Sequence, residues 1–183
     1  MANIKEGNYA FSKINLKNGV SQFSNQIQPQ VELTLAFNPS VKMPSESKKT
    51  LGSKKTPKTT IWVSKYRPLS LDYVTRKYFA FFARMDEELF GRRCHKARFI
   101  KLIKHIGVIE HLDTNPHIHA SIHIPDMDLI PKFLKLGKKL WETKIQESGE
   151  FNANEYRGAV WDNYIVKDIY TTAHTNLVLF GGK

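Results

Sequence analysis

Between Pro116 and Pro125 the chain reads PHIHASIHIP, so that His117, His119, Ser121 and His123 share one parity while Ile118, Ala120, Ile122 and Ile124 share the other. A strand sends these two sets to opposite faces. The isoleucine side would then pack on helices, and the histidine side would bring the imidazoles of His117 and His119 within reach of one cation. Alternating histidines opposite an apolar face point to metal or phosphate chemistry; His123 taken alone reads as an ordinary histidine.

Two imidazoles need a third ligand, and the preceding segment GVIEHL offers Glu110 and His111, which face opposite ways. A four-residue loop, Asp113 to Pro116, sets Leu112 against His117 and Glu110 against His119, on the histidine face. A five-residue loop or a bulge shifts the parity and presents His111 instead. Burial favours that second register, because it moves Ile106 and Val108 to the isoleucine face. Chemistry favours the first, because a carboxylate with two imidazoles and open positions suits Mg²⁺ or Mn²⁺, ions able to polarise a phosphodiester. Glu110 is the expected ligand.

Near the C-terminal end, Trp161 to Tyr170 reads WDNYIVKDIY. On a helix Trp161, Ile165 and Ile169 form an apolar stripe, and Tyr164 and Lys167 lie together on another side. A cation beside a phenol can steady its phenolate and hold a substrate phosphate. Taken alone, Tyr-x-x-Lys is common in amphipathic helices.

The elements that would position these groups follow from periodicity. Residues 1–29 are rich in Asn, Gln, Ser and Lys and read as a partly ordered arm ahead of one domain, 30–183. Val31 to Phe37 alternate as a strand that stops at Asn38-Pro39. The stretch 40–59 holds Lys42, Lys48, Lys49, Lys54, Lys55 and Lys58 with Glu46 as its only acid, and reads as a cationic loop able to lie on a nucleic-acid backbone. Ile61 to Val63 form a short strand. Ser70 then caps a helix with Leu71, Val74, Tyr78, Phe81, Phe82, Met85 and Leu89 at helical spacing up to Gly91. Arg92 and Arg93 follow as further candidates for DNA contact. Leu102 to Leu112 and His117 to Ile124 make a hairpin, Leu129 to Ile145 a helix with Phe133, Leu136, Leu140 and Trp141 inward, the region near Phe151 a strand, and Ala159 to Tyr170 the last helix. This order predicts an α+β domain, an antiparallel sheet with helices packed on one face.

Composition narrows the chemistry further. The 183 residues amount to about one domain, and 28 Lys+Arg against 17 Asp+Glu leave a net charge of +11. A surplus of this size attracts phosphate backbones, and 41% hydrophobic residues are enough for a core, so a disordered basic tail is excluded. Cys94 is the single cysteine, which excludes an internal disulfide or a Cys-rich zinc site and suits a reducing compartment. No leader-like or membrane-spanning run is visible, so a soluble, cytoplasmic protein is expected.

The set VELTLAFNP, GVIEHLDTNPHIHASIHIP and YIVK, in this order over residues 31–170, resembles the rolling-circle replication initiators of the HUH endonuclease superfamily. The resemblance implies a ferredoxin-like or RRM-like nuclease fold with the histidines on its central strand. It further implies that His117, His119 and Glu110 bind Mg²⁺ or Mn²⁺, that Tyr164 is the nucleophile and that Lys167 is its electrostatic partner. No second tyrosine stands three or four residues from Tyr164, so a single-tyrosine enzyme is expected. The chain ends soon after Tyr170, and a separate helicase would do the unwinding.

The activity implied is transesterification on single-stranded or hairpin origin DNA, leaving a 5′-phosphotyrosine and a free 3′-hydroxyl. Single-tyrosine transposases and relaxases share the His pair, and the lysine after the tyrosine favours an initiator. Two other classes compete: a histidine-based nucleotide phosphoesterase, for which the His-Ala-Ser at 119–121 supplies half a signature, and a non-catalytic nucleic-acid-binding domain.

Overall fold

A computed structural model of the protein describes residues 18–38, 40–44, 62–66, 68–96, 101–167 and 178–182. Val31–Ala36 (β1) alternates as its sequence requires, with Val31, Leu33 and Leu35 buried on one side. Two residues beyond it, Asn38 adopts a left-handed backbone with φ of 42°, which Asn tolerates better than most residues. Ser40–Pro44 (β2) then pairs with Trp62–Tyr66 (β3), Lys42 standing opposite Ser64. The cationic stretch therefore begins as a strand and not as a loop; Lys48, Lys49, Lys54, Lys55 and Lys58 lie outside the described residues.

Leu71–Phe90 forms a long helix (α2; the helix over residues 18–27 is α1). Ser70 caps α2 by accepting from the Tyr73 amide at 3.2 Å, and Gly91 ends it at φ of 91°. Lys104–Glu110 (β4) and His117–His123 (β5) make the central hairpin. Ile130–Leu140 (α3) is prolonged by a wider turn at Trp141–Ile145, and Glu150–Glu155 (β6), Ala159–Ile165 (α4) and Val178–Gly181 (β7) follow.

The main sheet has the order β6-β1-β5-β4-β7 with every pair antiparallel. Within it β1-α2-β4-β5-α3-β6 gives the spatial order β6-β1-β5-β4, the ferredoxin-like arrangement, with β7 added at one edge. The fold is α+β, and the histidine strand β5 is central.

The two long helices α2 and α3 share one face of this sheet. Val74, Tyr78, Phe81 and Met85 from α2, Phe133 and Leu140 from α3, and Trp141 close over Leu33, Leu35, Ile118, Ala120 and Ile122 in one core. Each Val, Leu, Ile, Phe or Met side chain fully buried in it contributes roughly 1.5–3 kcal/mol. Gly107 on β4 permits a close approach: a Cβ there would stand 2.6 Å from the Tyr78 phenol oxygen. Its absence lets Tyr78 reach across to His105 Nδ1 at 2.9 Å.

The second face carries a smaller cluster. Ile106 and Val108 of β4 are covered there by Val20 and Ile27 of α1, by Trp161 and Ile165 of α4, and by Val166. The arm at 1–29 thus contributes a helix, with Val20, Phe23, Ser24 and Ile27 at helical spacing. Among the described residues no helix is long and apolar enough to cross a membrane.

Candidate active site

Glu110, His117 and His119 meet on the second face of the sheet, each offering one ligand atom, all within 4.8 Å of one another. Glu110 Oε2 lies 3.2 Å from His117 Nε2 and 3.4 Å from His119 Nε2. The register explains the convergence: Glu110 pairs with His117 and Val108 with His119. The connection is therefore two residues longer than the four-residue loop, and Glu110 faces His117 directly, where the sequence placed it opposite His119. Because the shift is two, parity is kept and the carboxylate stays on the histidine face. His111 ends the strand with φ of 52° and sets its ring 5.1 Å from that of His117, outside the triad. Ile106 and Val108 do share the histidine face, contrary to the burial argument, since α1 and α4 bury them from that side.

Outer contacts fix both imidazoles. His117 Nδ1 lies 3.0 Å from the Asn115 carbonyl, which can only accept, so Nδ1 carries a proton and Nε2 is turned to the triad. His119 Nδ1 is 2.9 Å from Thr34 Oγ1 on β1. This is the pattern by which ligand histidines are oriented through their other nitrogen.

Burial opposes the charge of Glu110, but contacts with His117 and His119 and the charge of Lys167 outweigh it and hold the carboxyl down at about 2. For His117 burial favours the neutral form, yet Glu110 and the Asn115 carbonyl prevail and raise its pKa. Burial dominates at His119 and lowers its pKa, keeping it neutral as a ligand must be. The His119 contact to Glu110 is electrostatic and poorly aligned, and His119 Nε2 and Glu110 Oε1 are buried with no hydrogen-bond partner among the described residues. Buried polar atoms left unmatched call for a partner. An ionised carboxylate, a neutral imidazole and a second oriented imidazole around one point fit a divalent cation, and the group can bind a metal ion.

The helix α4 brings the tyrosine to this centre. Tyr164 stands edge to face on His119, centroids 4.9 Å apart, and stacks with Trp161 at 5.5 Å. Lys167 Nζ lies 3.5 Å from the Tyr164 ring centroid and 3.9 Å from Glu110 Oε2. Trp161 is fixed in turn by its indole N–H, which donates to Ser121 Oγ at 3.1 Å. The described helix is shorter than the sequence pattern and ends at Ile165; Ile169 and Tyr170 lie outside the described residues.

Other candidates are not gathered here. Arg92 and Arg93 are exposed in the turn after α2, the helix on the isoleucine face. His123 points to the same face as the triad but is engaged with the Gln28 carbonyl and the Gln30 amide. Sequence reasoning gave no role to Thr34 or Asn115, and it placed Ser121 on the histidine face and Trp161 in the helix stripe without the hydrogen bond between them. The parity of Thr34 within VELTLA and of Ser121 within HIHASIH marks both as facing the histidines, whereas the Asn115 contact uses a backbone oxygen that side-chain patterns do not reveal.

Comparison of the chain with protein-family models, with curated proteins and with solved structures finds no match.

Proposed function

We propose that this protein nicks and rejoins single-stranded DNA by metal-dependent transesterification through Tyr164, as an initiator of rolling-circle replication. The observation that carries the reading is the contact of the Tyr164 ring with His119, a member of the Glu110, His117 and His119 group, with the Lys167 ammonium beside both the ring and Glu110. Mg²⁺ or Mn²⁺ held by those three side chains would supply polarisation of a phosphodiester oxygen.

The chain's own residues do the rest. The Tyr164 oxygen, having lost its proton to solvent, attacks phosphorus; the bond to the 3′ oxygen breaks, and that oxygen takes a proton from water. The 5′ phosphate remains on Tyr164, so the bond energy is conserved and a later 3′-hydroxyl can reverse the step. Lys167 offsets negative charge on the phenolate and on the incoming phosphate. Tyr164, 41% exposed, is open to a DNA strand, and the net charge of +11 favours a polyanion. The 3′-hydroxyl would prime synthesis, with a separate helicase opening the duplex.

The test is incubation with a labelled pool of random-sequence single-stranded DNA and Mn²⁺. The expected result is an adduct that survives denaturation, maps to Tyr164 and disappears with excess chelator. No adduct from the pool, or one mapped to Tyr156 or Tyr170, overturns the reading.

A further inference from the structure

We propose that Glu32 is a positioning residue that sets where Tyr164 stands, through Arg157, at the start of α4. The proposal rests on Tyr164 being the nucleophile. The helix α4 has seven residues, begins at Gly158 with φ of 65° and has no side-chain cap. So short a helix does not hold its own place, and its position must come from its surroundings.

Burial of Trp161 and Ile165 against the sheet supplies part of it, and polar ties supply the rest. The Glu32 carboxylate accepts from the Arg157 backbone N–H at 2.8 Å, from Nε at 2.9 Å and from the terminal guanidinium nitrogen at 2.8 Å. Asp162, inside α4, accepts from Ser24 of α1 at 2.8 Å and from the Tyr156 hydroxyl at 2.7 Å. Arg157 also lies over the Trp161 ring, 5.9 Å from its centroid.

Glu32 is the decisive member because of where it sits. Its side chain is 1% exposed, and an apolar residue there would serve stability as well, since a buried carboxylate pays desolvation that a partly exposed Arg repays incompletely. It shares a face of β1 with Thr34, two residues on, whose hydroxyl orients His119. One strand therefore fixes a ligand through Thr34 and the nucleophile helix through Glu32, and the gap between tyrosine and metal centre is set by the spacing of two neighbours on one β-face.

The pair is asymmetric in a way that makes the test practicable. Removing Arg157 strands a buried carboxylate, whereas removing the charge of Glu32 leaves an arginine whose side chain is 60% exposed and can return to water. Glu32→Gln keeps an acceptor for the Arg157 amide, and Glu32→Ala removes every one of these bonds. Single-turnover adduct formation, Mn²⁺ affinity, DNA affinity and amide exchange in α4 are measured for wild type and both variants. Glu32→Ala is expected to lose about 10–100-fold in rate, as a displacement on the order of 1 Å does, with both affinities within about twofold and α4 exchanging faster than β4 and β5; Glu32→Gln is expected to recover most of the rate. A rate within twofold of wild type, or affinities that fall in step with it, overturns the proposal. Should Glu32→Ala fail to fold, Glu32→Gln decides on the same readouts with a severalfold loss expected. Should wild type form no adduct, the nucleophile assignment fails separately, and unchanged exchange in α4 then overturns the anchoring as well.

Discussion

The imidazole of His119 and the phenol of Tyr164 meet edge to face at 75°, although they come from the central strand and from a helix more than forty residues later. His119 touches the tyrosine ring while its Nε2 faces the carboxylate of Glu110. A change at Tyr164 that spares the ring should therefore leave the metal group intact.

Tyr164→Phe is expected to abolish the covalent DNA adduct, by about a thousandfold or more, with Mn²⁺ and DNA binding unaltered. Lys167→Ala should slow adduct formation by roughly 10–100-fold without moving it to another residue. Denaturing gels with labelled DNA, followed by peptide mapping, measure both; an adduct retained in Tyr164→Phe contradicts the assignment.

Metal affinity should follow the register of the β4–β5 hairpin. Glu110→Ala is expected to weaken Mn²⁺ binding by about 100-fold or more, and His111→Ala by less than about threefold. Titration calorimetry distinguishes them, and the opposite order would show that His111 supplies the third ligand.

Thr34→Val keeps the shape of the side chain and removes the hydroxyl that meets His119 Nδ1. Loss of such an outer contact lowers metal affinity by about 10–100-fold, and the lower end is expected because the ring stays packed against Trp161 and Tyr164. Affinity equal to wild type would mean that packing alone orients His119.

Acid stability should depend on His105, which is buried against Tyr78 and stacked on Phe82 at 3.7 Å. Burial depresses its pKa to about 3 from 6.5. The unfolded chain therefore binds the proton more readily, so the contribution of neutral His105 is complete above pH 6.5 and is lost as pH falls from there toward 3. At pH 5 the loss is about 2 kcal/mol. Urea unfolding of wild type and His105→Gln across this range measures it: the variant should show a flatter dependence on pH, and an identical slope would remove His105 from the account.

What the sequence made legible is what period and parity encode. Strand alternation separates the histidines from the isoleucines at 117–124 and places Val31, Leu33 and Leu35 on the core side. The stripe from Val74 to Met85 gives the long helix. Partners that depend on covering were harder to see. Ile106 and Val108 argue for the wrong face until α1 is known to lie over them, and α1 itself, with only Val20, Phe23 and Ile27 apolar on its inward side, is too polar to stand out. The hairpin register slipped by two because the left-handed turn at His111 ends β4 before Leu112. The short edge strand Val178–Gly181 and the strand at Ser40–Pro44 have no alternation long enough to mark them. Glu32 alternates correctly with its neighbours, but only the docking of Arg157 gives it a role.

The metal group and its tyrosine differ in how local their supports are. Glu110, His117 and His119 lie within one β-hairpin, so a local closure gathers every ligand. Tyr164 depends on long-range contacts: Glu150–Glu155 pairs with Val31–Ala36 across more than a hundred residues, and Arg157 meets Glu32. Loss of the long-range pairing would therefore release Tyr164 before it dispersed Glu110, His117 and His119. In the proposed reaction, strand cleavage would require the finished sheet, and the long-range strand pairing would act as its safety catch.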